Sequence, residues 1–214
     1  MNSLTARLGI CLIIFGLHSN AQPIHYNLQQ MLIENQMVTI PAYETRAFAG
    51  DKPEAITTTG IVWLKGIHFT GGATIDIDLR GKNEVQKSFL GIAFSGKDTN
   101  DYEAVYFRPF NFESPDTLRR KHMVQYMSVP DHDWQLLRNT QPLVFEHPVH
   151  PVPDPNDWFH ATIAISEDSV LVYVNHAAEP SLQVKRFRNH TGVQLGLWSN
   201  GLPADFAGLV IKPL

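Results

Sequence analysis

Cysteine is almost missing from this 214-residue chain, and its single copy is Cys11. Beyond residue 21 there is none, which excludes disulfides, thiolate metal sites and cysteine nucleophiles from that part of the chain. Charge is scarce and nearly balanced: 17 Lys and Arg stand against 21 Asp and Glu, a formal net charge of −4. That balance argues against a nucleic-acid partner, whose phosphates demand a basic surface. Arg119-Arg120-Lys121 is too short a cluster to reverse it and reads as a solvated turn. Apolar runs are short as well. The longest, residues 8–17, falls below the length that spans a bilayer. A serine nucleophile elbow, a phosphate loop and a dinucleotide fingerprint are all missing. No strand–helix–strand rhythm is present, so a parallel α/β fold is disfavoured.

What is present begins with Arg7, the apolar run and Ser19-Asn20-Ala21, the parts of a secretory signal cut ahead of Gln22. Residues 1–21 are therefore expected to be a signal peptide on a secreted or periplasmic protein, with no membrane insertion after cleavage. Residues 22–46 are expected to form an N-terminal extension. Its stretch Gln29-Gln30-Met31-Leu32-Ile33-Glu34 carries the one amphipathic helical pattern.

Residues 47–214 read as strands. Thr74-Ile75-Asp76-Ile77-Asp78-Leu79 alternates strictly, which sends the isoleucines and leucine inward and the aspartates outward. Segments 60–64, 88–95, 102–107, 122–127, 159–165, 170–174, 182–187, 194–198 and 206–211 continue the pattern between short turns. About ten strands with almost no helix indicate an all-β, two-sheet antiparallel jelly-roll sandwich with a short helical extension. Residues 128–157 break the rhythm with five prolines past Pro130, and their apolar residues suggest an ordered loop draped over one face.

Two stretches carry a resemblance. Asp157-Trp158-Phe159-His160-Ala161-Thr162-Ile163 followed by Val170-Leu171-Val172-Tyr173-Val174-Asn175 resembles the tryptophan-led hairpin of concanavalin A-like, laminin G-type jelly rolls. Gly192-Val193-Gln194-Leu195-Gly196-Leu197-Trp198 and Asp205-Phe206-Ala207-Gly208-Leu209-Val210-Ile211 fit their last two strands. Residues 47–214 as a whole are similar to the domain of unknown function 1080 family, also called 3-keto-disaccharide hydrolase and grouped with family 16-like glycoside hydrolases. The resemblance implies a carbohydrate partner. It also implies at most one structural calcium, with Asp205 in the kind of position its carboxylate ligand takes, and no other cofactor. The paired glutamates of true family 16 glucanases are absent from Thr74–Leu79, so their double-displacement chemistry does not carry over.

A sugar site needs hydrogen-bonding groups beside an aromatic surface. Period two puts Tyr102, Tyr106 and Arg108 on one face of a strand, and Asn111 follows closely. On the next strand, His122 and Tyr126 are taken as groove-facing because Met123 and Met127 suit a core, with Gln125 as the polar alternative. Trp134 on the long loop and Trp198 near the C-terminus are candidate stacking platforms, whereas Trp63 and Trp158 read as core or hairpin edge. If a bond is cleaved, Glu103 on the strand and Glu146 on the loop are the expected acids. His147-Pro148-Val149-His150 and Asp131-His132-Asp133 lack the spacing of a zinc site. Three readings stay open: an exported carbohydrate-binding sandwich, a glycoside hydrolase acting on a di- or oligosaccharide, or a non-catalytic protein-interaction or envelope-structural module.

Overall fold

The computed structural model describes residues 22–40, 43–68, 72–187 and 192–214. The expected signal peptide lies outside the described residues. The burial of each strand follows the alternation. β5 (Ala73–Arg80) buries Ile75, Ile77 and Leu79 completely and leaves Asp76 and Asp78 half-buried. β10 (Phe159–Ile165) and β11 (Ser169–Val174) form the hairpin beside it, and β12 (Leu182–Lys185) is the edge. The second layer is built from β6 (Ser88–Gly96), β7 (Tyr102–Phe107), β8 (Val124–Val129) and the two-residue β9 (Glu146–His147). Phe107 of β7 meets Phe159 of β10 at 5.0 Å, ring against ring, between the layers.

The segments expected as two separate C-terminal strands are one, β13 (Gln194–Pro213). Its first half pairs with β6 and its second half with β5, so it belongs to both layers. β4 (Ile56–His68) runs alongside both halves. The register shifts between Ser199 and Ala204, where the strand changes layer. Gly201 enables this with φ +84°, and a Cβ there would stand 2.1 Å from Lys87 O.

The N-terminal extension is woven into the sheets. β1 (Ile24–Tyr26) pairs with β13, while β2 (Met37–Val38) and β3 (Thr45–Ala47) pair with β4. Between them α1 (Leu28–Ile33) starts at Asn27, whose side chain accepts from Gln30 N, and buries Leu28 and Met31. The proline-rich connection is ordered. It contains α2 (Trp134–Thr140), capped by Asp133, and reaches the sheet edge through β9. Of its expected apolar anchors, Leu137 and Phe145 are buried, whereas Trp134, Leu136 and Val144 are exposed.

The outer face of β5 and β10 carries a charge cluster. His160 Nδ1 lies 2.9 Å from Asp78 Oδ1, and Nε2 lies 3.3 Å from Asp76 Oδ1. Lys52 also pairs with Asp78. The bond to Asp78 is the main reason the His160 imidazole titrates above its ordinary value, with burial opposing it. A raised folded pKa means stabilisation present below about pH 6.5 that disappears as pH climbs through the folded value. The urea midpoint of the native protein therefore falls between pH 6 and 8 relative to that of His160→Gln. Parallel pH profiles for the two proteins would show that His160 contributes nothing.

Candidate binding site

A cavity of about 560 Å³ opens on the concave face of the β6–β7–β8 layer, beneath the proline-rich connection. That size falls in the roughly 300–1,000 Å³ range of small-ligand sites. Its floor is aromatic. Tyr106 of β7 and Trp198 of β13 are brought together by a missing side chain on the strand between them. Gly91 of β6 faces both residues in register, and their rings meet at 5.0 Å above it. A Cβ at Gly91 would come within 2.0 Å of Val105 O. Phe89 and Phe110 extend the floor edge to face, 5.3 Å apart. Tyr102 accepts a hydrogen bond from Trp198 Nε1 at 3.1 Å and orients the indole.

The polar wall grows out of the end of β7. After Phe107 the chain turns into a 3₁₀ helix at Pro109–Asn111, which puts Arg108 and Asn111 on the cavity wall. Arg108 is only 4% exposed. Its Nη2 donates to Tyr106 Oη at 2.6 Å and to Gln125 Oε1, and Tyr106 Oη in turn donates to Gln125 Oε1 at 2.9 Å. Burial pushes the Tyr106 phenol up to about 12, so it stays protonated at neutral pH. Asn111 Nδ2 donates to His122 O at 2.8 Å, and its buried Oδ1 has no partner among the described residues.

Behind this wall stands Glu146, 1% exposed. Arg138 of α2 grips it with two hydrogen bonds, Nε to Oε1 at 2.8 Å and Nη2 to Oε2 at 2.6 Å. Arg108 Nη1 lies 3.6 Å from Oε2. His122 Nδ1 lies 2.8 Å from Oε1 but off the line of a good hydrogen bond. Burial alone would raise the Glu146 pKa, yet the Arg138 hydrogen bonds, with help from His122 and Arg108, hold it below the usual carboxylate value. Burial draws the His122 pKa down against the pull of Glu146. Arg138 also lies over the half-exposed Trp134 ring at 5.2 Å, at the mouth.

The structure thus brings Tyr106, Arg108, Asn111, His122, Trp134 and Trp198 to one cavity. Gln125 stands behind them and positions Tyr106 and Arg108. Three expectations are corrected. Tyr126 faces the core, where it stacks on Phe187 at 5.9 Å, while Met127 lines the cavity instead. The inward methionine and outward tyrosine assumed from polarity are reversed because the Tyr126 hydroxyl has a buried acceptor, Glu103 Oε2, at 2.6 Å. Glu103 itself lies on the Val105 and Phe107 side of β7, fully buried and held by Arg186. It does not reach the cavity. Glu146 is near the cavity but bound as a counter-ion, so it does not stand ready as a general acid.

Several lining residues had no distinct sequence signal. Phe89 and Phe110 look like ordinary core, and Arg119 belongs to the turn read as solvated. Trp63 packs beside Tyr102 at 6.2 Å on the same concave face, against Gly96 and Gly196. Asp205 does not fit the expected calcium. Both its oxygens are engaged, Oδ1 by Thr57 at 2.6 Å and Oδ2 by Arg80 at 3.0 Å. No cluster suited to a metal occurs among the described residues.

No family model and no curated protein matches the sequence. Solved structures do match the fold. A protein of unknown function with a galectin-like fold from Bacillus subtilis superposes with a TM-score of 0.53 at 11% identity, over 88% of this chain and 94% of its own. The carbohydrate-binding module CBM66 from Bacillus subtilis superposes with a TM-score of 0.50 at 13% identity, over 79% of this chain and 94% of its own. This chain has a concanavalin A-like jelly-roll fold. The likeness extends to the architecture; the residues of the cavity stand on their own geometry.

Proposed function

We propose that the protein binds a carbohydrate in the concave cavity and does so without cleaving it. The observation that carries this reading is the meeting of Tyr106 and Trp198 over Gly91, next to the fixed guanidinium of Arg108. A pyranose presents a C–H face that settles on aromatic rings and hydroxyls that seek fixed donors and acceptors. The superposition on a carbohydrate-binding module supports a carbohydrate ligand. The export signal read in residues 1–21 suits a protein meeting extracellular or periplasmic glycans.

Binding without turnover is favoured by the carboxylates. Glycoside hydrolysis ordinarily uses two, placed on either side of the bond. Among the described residues only Asp133 brings a carboxylate to the cavity lining, and its Oδ1 accepts from Leu136 N at 2.7 Å to cap α2. The hydrolase version of the proposal would need Asp133 and a second acid carried in by movement of the connection.

Titration calorimetry against a panel of oligosaccharides tests the proposal. Trp134→Ala is expected to weaken binding about tenfold, or ~1.4 kcal/mol, while leaving the melting temperature within a degree or two, because the ring sits at the rim. Unchanged affinity in Trp134→Ala and in Trp198→Phe would place any sugar elsewhere. Release of reducing sugar by the native protein would overturn the non-catalytic half of the reading.

A further inference from the structure

The cavity wall holds more positive charge than a neutral sugar requires. Three guanidiniums line it, those of Arg108, Arg119 and Arg138. Three carboxylates lie near them, of which only Asp133 is on the lining itself. Glu146 lies behind the wall with both oxygens taken by Arg138, and Asp133 is spent on capping α2. Arg119 sits at the mouth in a 3₁₀ turn, Arg119–Lys121, whose other two residues are exposed bases. Its counter-charge is Asp116, 3.7 Å away and half-exposed, an arrangement that solvent screens. The uncharged acceptors on the lining are amides and phenols, including those of Asn111, Asn200 and Gln86. A recessed site with low-dielectric aromatic walls and an excess of fixed cations focuses a positive potential. Guanidinium forks then match the planar or tetrahedral oxygens of an anion.

We infer that the ligand is an acidic saccharide, whose carboxylate or sulfate is held between Arg108, Arg119 and Arg138 while its ring rests on Tyr106 and Trp198. This rests on the carbohydrate reading above and narrows it. It also gives Arg119-Arg120-Lys121 a role as the entry rim, in place of the solvated turn its sequence suggested.

The test uses the full chain with three classes of probe. One is uronate oligosaccharides, such as oligogalacturonate and hyaluronan fragments, each beside its carboxyl-reduced counterpart. The second is sulfated galactan fragments beside their desulfated forms. The third is neutral cello-, xylo- and galacto-oligosaccharides. At low ionic strength at least one acidic pair is expected to differ by tenfold or more in favour of the charged member, and the pair that does so says which anion the site takes. Arg119→Gln, on an exposed turn, is expected to weaken the charged probe about three- to fivefold, to flatten its salt dependence and to affect the charged probe more than its neutral counterpart. Equal binding within every charged and neutral pair would overturn the acidic ligand and leave the carbohydrate reading standing. Acid binding untouched by both Arg119→Gln and Trp134→Ala would place the anion outside this cavity and overturn it too. Failure of all three classes would sink both readings together.

Discussion

Arg186→Met is expected to destabilise the protein by about 3–5 kcal/mol, the usual consequence of stranding a buried charge. Glu103 is wholly buried, and Arg186 supplies its counter-charge through Nε at 3.0 Å and Nη2 at 2.5 Å. The same guanidinium donates to Ser166 O at 2.7 Å and to Ser95 Oγ at 2.9 Å, tying the turn after β10 and the end of β6 to the segment after β12. Its loss therefore removes one bidentate ion pair and two further bonds at once. For a domain of this size the melting temperature should fall on the order of 10 °C. Glu103→Gln in the same background should restore at least half of the loss. A neutral amide still accepts from the Tyr126 hydroxyl, and no charge is left uncompensated. If the double variant is as unstable as the single one, the packing of Arg186 matters and its charge does not. That outcome would also reopen the question of why an acid occupies the core side of β7.

Glu146→Ala should be nearly as damaging, at about 2–4 kcal/mol, reduced from the fully buried case because Arg138 is one-third exposed. It leaves Arg108, 4% exposed, beside Arg138 with no carboxylate between them. Ligand affinity should drop with it, since Arg108 and His122 lose the group that fixes their positions. The pH profile gives a sharper check with the milder Glu146→Gln. Because the folded pKa is depressed, Glu146 stabilises fully above the unfolded value of about 4.3 and loses that contribution as pH falls through the lower folded value. Native protein should thus lose stability steeply below about pH 4, and Glu146→Gln should show a shallower slope there. Urea titrations at pH 3, 4 and 6 measure it. Equal slopes would mean that the ion cluster behind the cavity contributes little to folding.

Both networks show where reading the chain succeeds and where it stops. Alternation located β5, β7 and β10 to within a residue because each has one face packed against the opposite layer, and period two leaves no choice of side. The same rule puts Glu103 on the side of Val105 and Phe107, which is where the buried carboxylate lies. In β8 the rule yields two sets of residues but cannot say which is inside. Tyr126 and Met127 exchange their customary places because Glu103, Arg186 and Phe187 lie far away in sequence and make a polar pocket inside the core. Segments 194–198 and 206–211 read as separate strands because Asn200-Gly201 looks the same locally whether it ends a strand or bends one. The pairing of Asn200 with Phe89 and of Gly201 with Ser88 decides it. Arg138 and Arg119 acquire meaning only once α2 and the basic turn are folded over the sheet.

The long bend in β13 has a further consequence. One backbone segment supplies hydrogen bonds to both layers, and its neighbour β4 accompanies it through the corner. Neither layer can peel away while the other stays intact, since the shared strand would have to break its ladder in mid-course. Melting should therefore be all-or-none across the domain.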